Sequence, residues 1–256
     1  MTSTIRVETR GDGVTRLTLA RPDKHNALNP AMIAELDAAF HMIAADPAVR
    51  VLVLAADGSS FCAGGDLDWM RAQATRSRAE RQAEAGALAR MLERLDALPK
   101  LVIGIVRGAA YGGGIGLVSL CDIALATPEA RFALTEVKLG LMPATIGPFV
   151  VRRVGPAHAR RIMLNARPFD AGEACRMGLV AAVVPERELD AALDREIEFA
   201  LKCKAGAVAA TKTLIDRLAR GEALSGDQTS SLLADRWETD EAQTGLREFF
   251  AARNRD

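Results

Sequence analysis

The segments Phe61-Cys-Ala-Gly-Gly-Asp-Leu67 and Tyr111-Gly-Gly-Gly-Ile-Gly116 are the parts of this chain best suited to chemistry. Each follows a short apolar run of strand character and packs glycine into the turn that comes next. Glycine has no Cβ, so its backbone can come close to a ligand. Two such turns, Ala63-Gly64 and Gly112-Gly113-Gly114, can aim two backbone N–H groups at one oxygen atom. That geometry is an oxyanion hole, which stabilises charge developing on a carbonyl oxygen.

The elements that must hold these turns follow from patterning. Ile5, Val7, Leu17 and Leu19 alternate with polar residues around Arg10-Gly11-Asp12-Gly13, which predicts a β-hairpin. Asn29-Pro30 opens a helix, with Asn29 as N-cap and Ile33, Leu36, Phe40 and Ile43 on one face. Val51–Ala55 is a short buried strand, and the first glycine turn lies beyond it. Residues 71–97 are charged and alanine-rich, with Leu88, Met91, Leu92 and Leu95 at helical spacing, and Pro99 ends that helix. Leu101–Val106 is the next strand and leads to the second glycine turn. Leu117–Leu120 continue as helix and Cys121–Ala126 as strand, so the order is that of an α/β protein. Beyond Pro156 the segments 157–164, 170–176, 186–202, 207–220 and 239–252 read as helices. An α/β core over 1–190 and a helical extension over 191–256 are expected.

Several other chemistries are excluded by spacing. A dinucleotide fingerprint fails at 112–117 because Leu117 stands where its last glycine belongs. Neither a phosphate-binding G-x-x-x-x-G-K-[ST] loop nor a G-x-S-x-G nucleophile elbow occurs. The 3 histidines, His25, His41 and His158, are scattered, and the 4 cysteines contain no CxxC pair. Neither a metal centre nor a disulfide framework is expected. With 33 basic and 33 acidic side chains, the net charge gives no reason to expect nucleic acid or an anionic membrane as partner. The N-terminal residues lack the apolar core of a signal peptide, and no apolar run is long enough to span a bilayer. A cytoplasmic location is the expectation. At 256 residues and 49% hydrophobic composition, the chain is sized for one large globular domain or for one medium domain with a small appendage.

The segments Arg21-Pro-Asp-Lys-His-Asn-Ala-Leu-Asn29, Phe61–Leu67, Gly112-Gly-Gly-Ile-Gly116, Cys121-Asp-Ile-Ala124 and Thr135-Glu-Val-Lys-Leu-Gly-Leu-Met-Pro143 occur in that order. Their combination resembles the crotonase family, the enoyl-CoA hydratase/isomerase superfamily, through to Gly245-Leu-Arg-Glu-Phe-Phe250. The resemblance implies a spiral of ββα units, a helical C-terminal trimerisation region and a homotrimer or dimer of trimers. It also implies an acyl-CoA substrate, with coenzyme A part of that substrate and no separate cofactor.

By motif position the N–H groups of Ala63 and Gly113 should form the oxyanion hole. Lys24, His25 and Ala27 should meet the nucleotide end of CoA, with Lys24 at a phosphate. Gly64, Gly65, Asp66, Leu67, Gly112 and Gly116 complete the implied substrate-binding set. Asp66 also reads as the N-cap of a helix starting at Leu67, and Trp69 and Met70 as walls of an acyl pocket or as ordinary core.

Family hydratases hold water between two glutamates. Here the second corresponds to Glu136, and the first is replaced by Gly116. Glu136 is then the single general acid/base, unless it is a surface carboxylate paired with Lys138. One carboxylate suits double-bond isomerisation, and it can also serve hydration. The runs Ala109–Val118 and Glu136–Arg152 further resemble a subgroup assigned as methylglutaconyl-CoA or isohexenylglutaconyl-CoA hydratases. In such an enzyme, Gly116 would open volume for a branch and remove a charge that repels the substrate's own carboxylate. A CoA-ester-binding protein without catalysis is the remaining alternative.

Overall fold

The computed structural model describes residues 3–253. The predicted hairpin is present: β1 (Ile5–Thr9) and β2 (Val14–Leu19) pair antiparallel with Ile5 opposite Leu19. α1 (Pro30–Ala45) begins as predicted, since the extended Asn29 accepts a hydrogen bond from the Met32 N–H through its side chain. Its face of Ile33, Leu36, Phe40 and Ile43 is buried.

The strands that follow alternate between two sheets. β3 (Val51–Ala56), β5 (Leu101–Val106) and β7 (Ile123–Ala126) join the hairpin in one sheet. β4 (Ser60–Cys62), β6 (Ala109–Tyr111) and β8 (Arg131–Ala133) build a second, smaller one. Each strand pair therefore steps from the large sheet to the small one before the chain turns into helix. The helices are α2 (Leu67–Gln73) and α3 (Arg78–Asp96) after β4, α4 (Gly113–Ser119) after β6, and α5 (Gly147–Met163) after β8. β9 (Phe169–Asp170), α6 (Ala171–Arg176) and β10 (Ala182–Val183) close the two sheets, whose orders are β1-β2-β3-β5-β7-β10 and β4-β6-β8-β9. This repetition is the expected spiral of ββα units.

Both faces of the large sheet are covered, as parallel strands require. Leu52, Leu54, Val102 and Val106 enter the main core with α1 and α3. Val51, Val53, Ala55, Ile103 and Ile105 point the other way, against Leu189, Leu193 and Ile197 of α7 (Glu186–Lys202). α7 therefore belongs to the packed core. The three helices beyond it, α8 (Ala205–Ala219), α9 (Gly226–Trp237) and α10 (Asp240–Arg253), have no buried residue.

The structure corrects three helical readings. The run 71–97 is two helices, because Ser77 forms a reciprocal capping box with Glu80 that starts α3 afresh. α5 starts at Gly147, well before Pro156, and Gly155 interrupts it with a φ of 74°. α9 was not foreseen, although Ser225 and Gln228 form a second capping box at its start. Among the described residues no helix is long and apolar enough to cross a membrane.

Charge pairs tie α8 to the core. The Asp96 carboxylate, at the end of α3, is buried and pairs with Arg152 of α5, and it also accepts from Arg220 beyond α8 at 2.8 Å. Lys212 of α8 donates to Asp122 at 2.8 Å and to the Lys100 carbonyl. Removing one partner of a buried pair leaves the other charge desolvated and unmatched. Asp96→Ala is therefore expected to destabilise the fold by about 3 kcal/mol, measured by urea unfolding at fixed protein concentration.

Candidate active site

The small sheet brings the site together. β4 and β6 run parallel with Ser60 beside Ala109 and Cys62 beside Ala110, and β6 and β8 run parallel with Tyr111 beside Ala133. Three chain segments therefore leave the carboxyl ends of three neighbouring strands: the turn 63–66, the turn at Gly112 and the turn carrying Glu136. Crevices at such strand ends are where open parallel sheets bind ligands.

The two glycine turns touch. A Cβ on Gly64, at φ +93°, would sit 3.2 Å from the Tyr111 carbonyl oxygen and 3.9 Å from Gly112 Cα. Gly112 has φ +46°, a region that side chains rarely adopt. A Cβ there would lie 3.1 Å from Glu136 Oε1. Glycine at both positions is what allows the Glu136 carboxylate to reach the turns.

The expected pair of donors needs one correction. The Ala63 N–H is already engaged, donating to the His25 carbonyl at 3.0 Å. The 21–28 loop folds over the end of β4 and takes up that donor. Gly64 and Asp66 are held by Leu28, whose N–H donates to the Gly64 carbonyl at 2.7 Å and whose carbonyl accepts from Asp66 N–H at 2.9 Å. Between them, Gly65 is half-buried, and among the described residues its N–H has no acceptor. Gly113 is in the same condition at the first position of α4, where a helix leaves its N–H groups unpaired.

Glu136 sits at the start of a single 3-10 turn, Glu136–Leu139. Its Oε2 is buried and, among the described residues, has no hydrogen-bond partner. Burial pushes its carboxyl above the ordinary value of 4.5, against one opposing backbone hydrogen bond. Lys138 is exposed and forms no ion pair with Glu136 among the described residues. A solvated surface pair is thus not what the structure contains.

The remaining predicted residues are placed as follows. Asp66 is the N-cap of α2, accepting from the N–H groups of Asp68 and Trp69, and it pairs with Arg21 at 2.8 Å. Burial raises its carboxyl, but the hydrogen bonds and charge of Arg21 and the capping bonds outweigh this and hold it below its ordinary value. It anchors the turn rather than offering a free carboxylate. Leu67 is 74% exposed at the mouth of the turn. Lys24 and His25 are exposed; Lys24 faces Asp68 at 3.4 Å and His25 Nδ1 meets Ser60 Oγ at 3.1 Å. Ala27 is buried, and its carbonyl accepts from Arg21 at 2.6 Å.

Gly116 requires a second correction. It is buried one turn inside α4, and a Cβ there would meet Ile146 Cγ2 at 2.6 Å and Leu92 Cδ2 at 3.8 Å. Ile146 fills the volume that a side chain at this position would use. The missing side chain at 116 is therefore not itself an open volume.

Two positions overlooked in the sequence build the loop. Asn26 is fully buried in left-handed backbone; it donates to the Asp57 and Ser60 carbonyls and accepts from the Arg21 N–H. Arg21 joins Asp66 to Ala27. The cue available was a lone asparagine inside an otherwise turn-like basic segment, a type that tolerates positive φ.

A sequence model described as enoyl-CoA hydratase/isomerase matches residues 9–256. The chain belongs to that family. It is 34% identical to an enoyl-CoA hydratase of Alternaria alternata, over 87% of this chain and 75% of the relative. Its fold superposes on an enoyl-CoA hydratase from Shewanella pealeana with a TM-score of 0.93 at 38% identity, covering 97% of this chain and 94% of the other. An enoyl-CoA hydratase/isomerase from Marinobacter aquaeolei gives a TM-score of 0.92 at 35% identity, covering 98% and 97%. The α/β spiral is thus the crotonase fold, and the chain is an enzyme of the enoyl-CoA hydratase type.

The packing at Gly116 makes a direct prediction for this family member. Gly116→Glu alone should overpack the Ile146 contact and destabilise by about 1–3 kcal/mol. Adding Ile146→Ala should recover most of that loss, as read from thermal unfolding of the single and double variants.

Proposed function

We propose that the chain adds water to an α,β-unsaturated acyl-CoA thioester, with Glu136 handling the protons and the N–H groups of Gly65 and Gly113 holding the thioester oxygen. The observation that carries the proposal is the buried Oε2 of Glu136, without a partner among the described residues, beside two turns whose Gly65 and Gly113 N–H groups have no acceptor among those residues. Buried polar groups without partners are rare, and a catalytic role is one reason a protein keeps one. A thioester carbonyl supplies the acceptor for both N–H groups. Sulfur donates weakly into that carbonyl, so electrons pushed toward it collect on oxygen as an enolate. Two preset donors stabilise that oxygen, and a single donor of this kind contributes about 2.7–4 kcal/mol to lowering a barrier.

Glu136 as carboxylate takes a proton from water as the oxygen adds at Cβ, and as carboxylic acid it returns a proton to Cα. Its raised pKa brings both forms closer to neutral pH, which is where an acid/base group works best. On this reading the exposed 22–25 segment, with Lys24, meets the nucleotide end of CoA. A branched glutaconyl chain remains compatible on charge alone, since no second carboxylate faces the site from position 116. Isomerisation of a 3-enoyl-CoA is favoured as the second reading by one specific observation. Ile146 occupies the place from which another carboxylate would hold water, and shuttling a proton between two carbons needs only Glu136.

Purified protein assayed with crotonyl-CoA, 3-methylglutaconyl-CoA and a 3-enoyl-CoA separates these readings. Hydration of either 2-enoyl ester supports the proposal, and double-bond migration alone replaces it with the isomerase. Binding of CoA esters with no turnover at all leaves a non-catalytic binding protein. Glu136→Gln should lower turnover by about 10²–10⁴-fold while CoA-ester binding persists. In the unmodified enzyme, kcat/KM should fall as pH drops through the Glu136 pKa, because the base form is lost. That acidic limb should lie above the ordinary 4.5 and vanish in the residual activity of Glu136→Gln.

The helices α8, α9 and α10 enclose a groove of about 740 Å³ lined by Ala207, Leu214, Leu233, Trp237 and Leu246. Leu233, Trp237, Phe249 and Phe250 are more than half exposed. We place further copies of this chain on that surface, as a trimer or dimer of trimers. Sedimentation should give three or six chain masses, and Trp237→Glu should reduce them. A single chain mass for the unmodified protein would overturn this assembly.

A further inference from the structure

The short helix α2 stands directly over the candidate oxyanion turn. A Cβ on Gly65 would lie 3.3 Å from Met70 Sδ and 3.6 Å from Trp69 Cζ3, so these two side chains lean on the residue whose N–H has no acceptor among the described residues. Yet α2 has only seven residues and none of them is fully buried. Packing of Trp69 on the core edge is partial. Its place must therefore be set largely by polar contacts.

Beside the Asp66 cap, one carboxylate supplies several of them. Glu84 of α3 accepts from the Trp69 indole N–H and the Gln73 amide on one oxygen, and from the Arg76 guanidinium on the other. Its side chain is 18% exposed, so these bonds are shielded from bulk water. Arg81, also on α3, adds bonds to the Gln73 carbonyl at 2.9 Å and the Ala74 carbonyl at 3.3 Å. A partly buried indole N–H needs an acceptor, and bonds to an ionised acceptor are stronger than neutral ones.

We infer that Glu84 is a positioning residue that sets acyl-chain selectivity by fixing Trp69 and Met70 over Gly65. The inference rests on the acyl-CoA reading above and deepens it. An acyl chain leaves the carbonyl carbon whose oxygen is held at Gly65, so its first carbons run beside whatever stands there. With Glu84 in place, the indole cannot swing outward without abandoning a charge-assisted bond. Without it, the indole N–H and Arg76 lose their acceptor, α2 loosens, and the wall beside the chain recedes. Longer chains then gain relative to short ones.

The test compares kcat/KM for four-carbon and ten-carbon straight-chain 2-enoyl-CoA esters. In Glu84→Ala the ten-carbon to four-carbon ratio should rise about tenfold, the scale of a one-methylene discrimination in an apolar pocket. Glu84→Gln keeps an acceptor for the indole and should restore most of the original ratio. Trp69→Phe drops only the N–H and part of the ring, and should move the ratio in the same direction; it and Glu84→Gln supply the comparison if Glu84→Ala fails to fold. A purely structural role for Glu84 would lower the active fraction equally for both esters. An unchanged ratio in an otherwise active enzyme therefore overturns the inference and leaves the hydratase reading standing. Absence of turnover of every ester by the unmodified chain overturns that reading and this inference with it.

Discussion

Parallel pairing of three short strands governs the rest of this structure. β4, β6 and β8 are only three residues each, yet their register places Cys62, Tyr111 and Ala133 at one edge. Every group assigned to the chemistry follows within a few residues of that edge. A one-residue slip would invert the faces of the strands and carry Gly65, Gly113 and Glu136 away from one another. The large sheet and its helices supply the rigid support that such short strands cannot provide alone.

Within that frame, desolvation is what raises the Glu136 carboxyl, and it comes from packing rather than from charge. No ion pair among the described residues touches the carboxylate, and burial alone raises its pKa. The apolar filling at Gly116 belongs to the same design. Ile146 and Leu92 close the space where a second acid would stand, so no neighbouring negative charge perturbs Glu136 from that side. A lone carboxylate raised by burial can take and return a proton without a charged partner to fix its state.

The sequence made some parts of this arrangement legible and concealed others, for physical reasons. The glycine turns were readable because a missing Cβ is a local property, and Glu136 because its place after them matches the second glutamate of the family that the motifs resemble. The identity of the first N–H donor was not readable. Whether Ala63 or Gly65 has a free N–H depends on the His25 carbonyl, which arrives from a loop held by Asn26 and Arg21. Long-range acceptors of that kind leave no periodic trace. The split between α2 and α3 was hidden differently, since alanine-rich charged sequence favours helix throughout 71–97 and the Ser77 capping box decides the matter. Volume at Gly116 was misjudged because a glycine in sequence shows what is absent but not which neighbour has moved in.

The C-terminal helices invert the usual order of packing, and the proposed assembly would rest on this. α8 is held to the core by Lys212 with Asp122 and by Arg220 with Asp96, while α9 is joined through Arg236 and Glu241, whose carboxylate also caps α8 at Gly206 and Ala207. Polar groups therefore face inward, and Leu233, Trp237, Phe249 and Phe250 face outward. An isolated chain gains nothing from displaying that much apolar surface to water. The charge pairs fix the orientation of the helices without burying their apolar sides, which leaves those sides available to a second surface. The same logic applies at α2, where Glu84 holds a helix by polar contacts so that Leu67, Trp69 and Met70 remain available to a ligand. In both places directional bonds set the geometry of the helix and leave hydrophobic area uncovered.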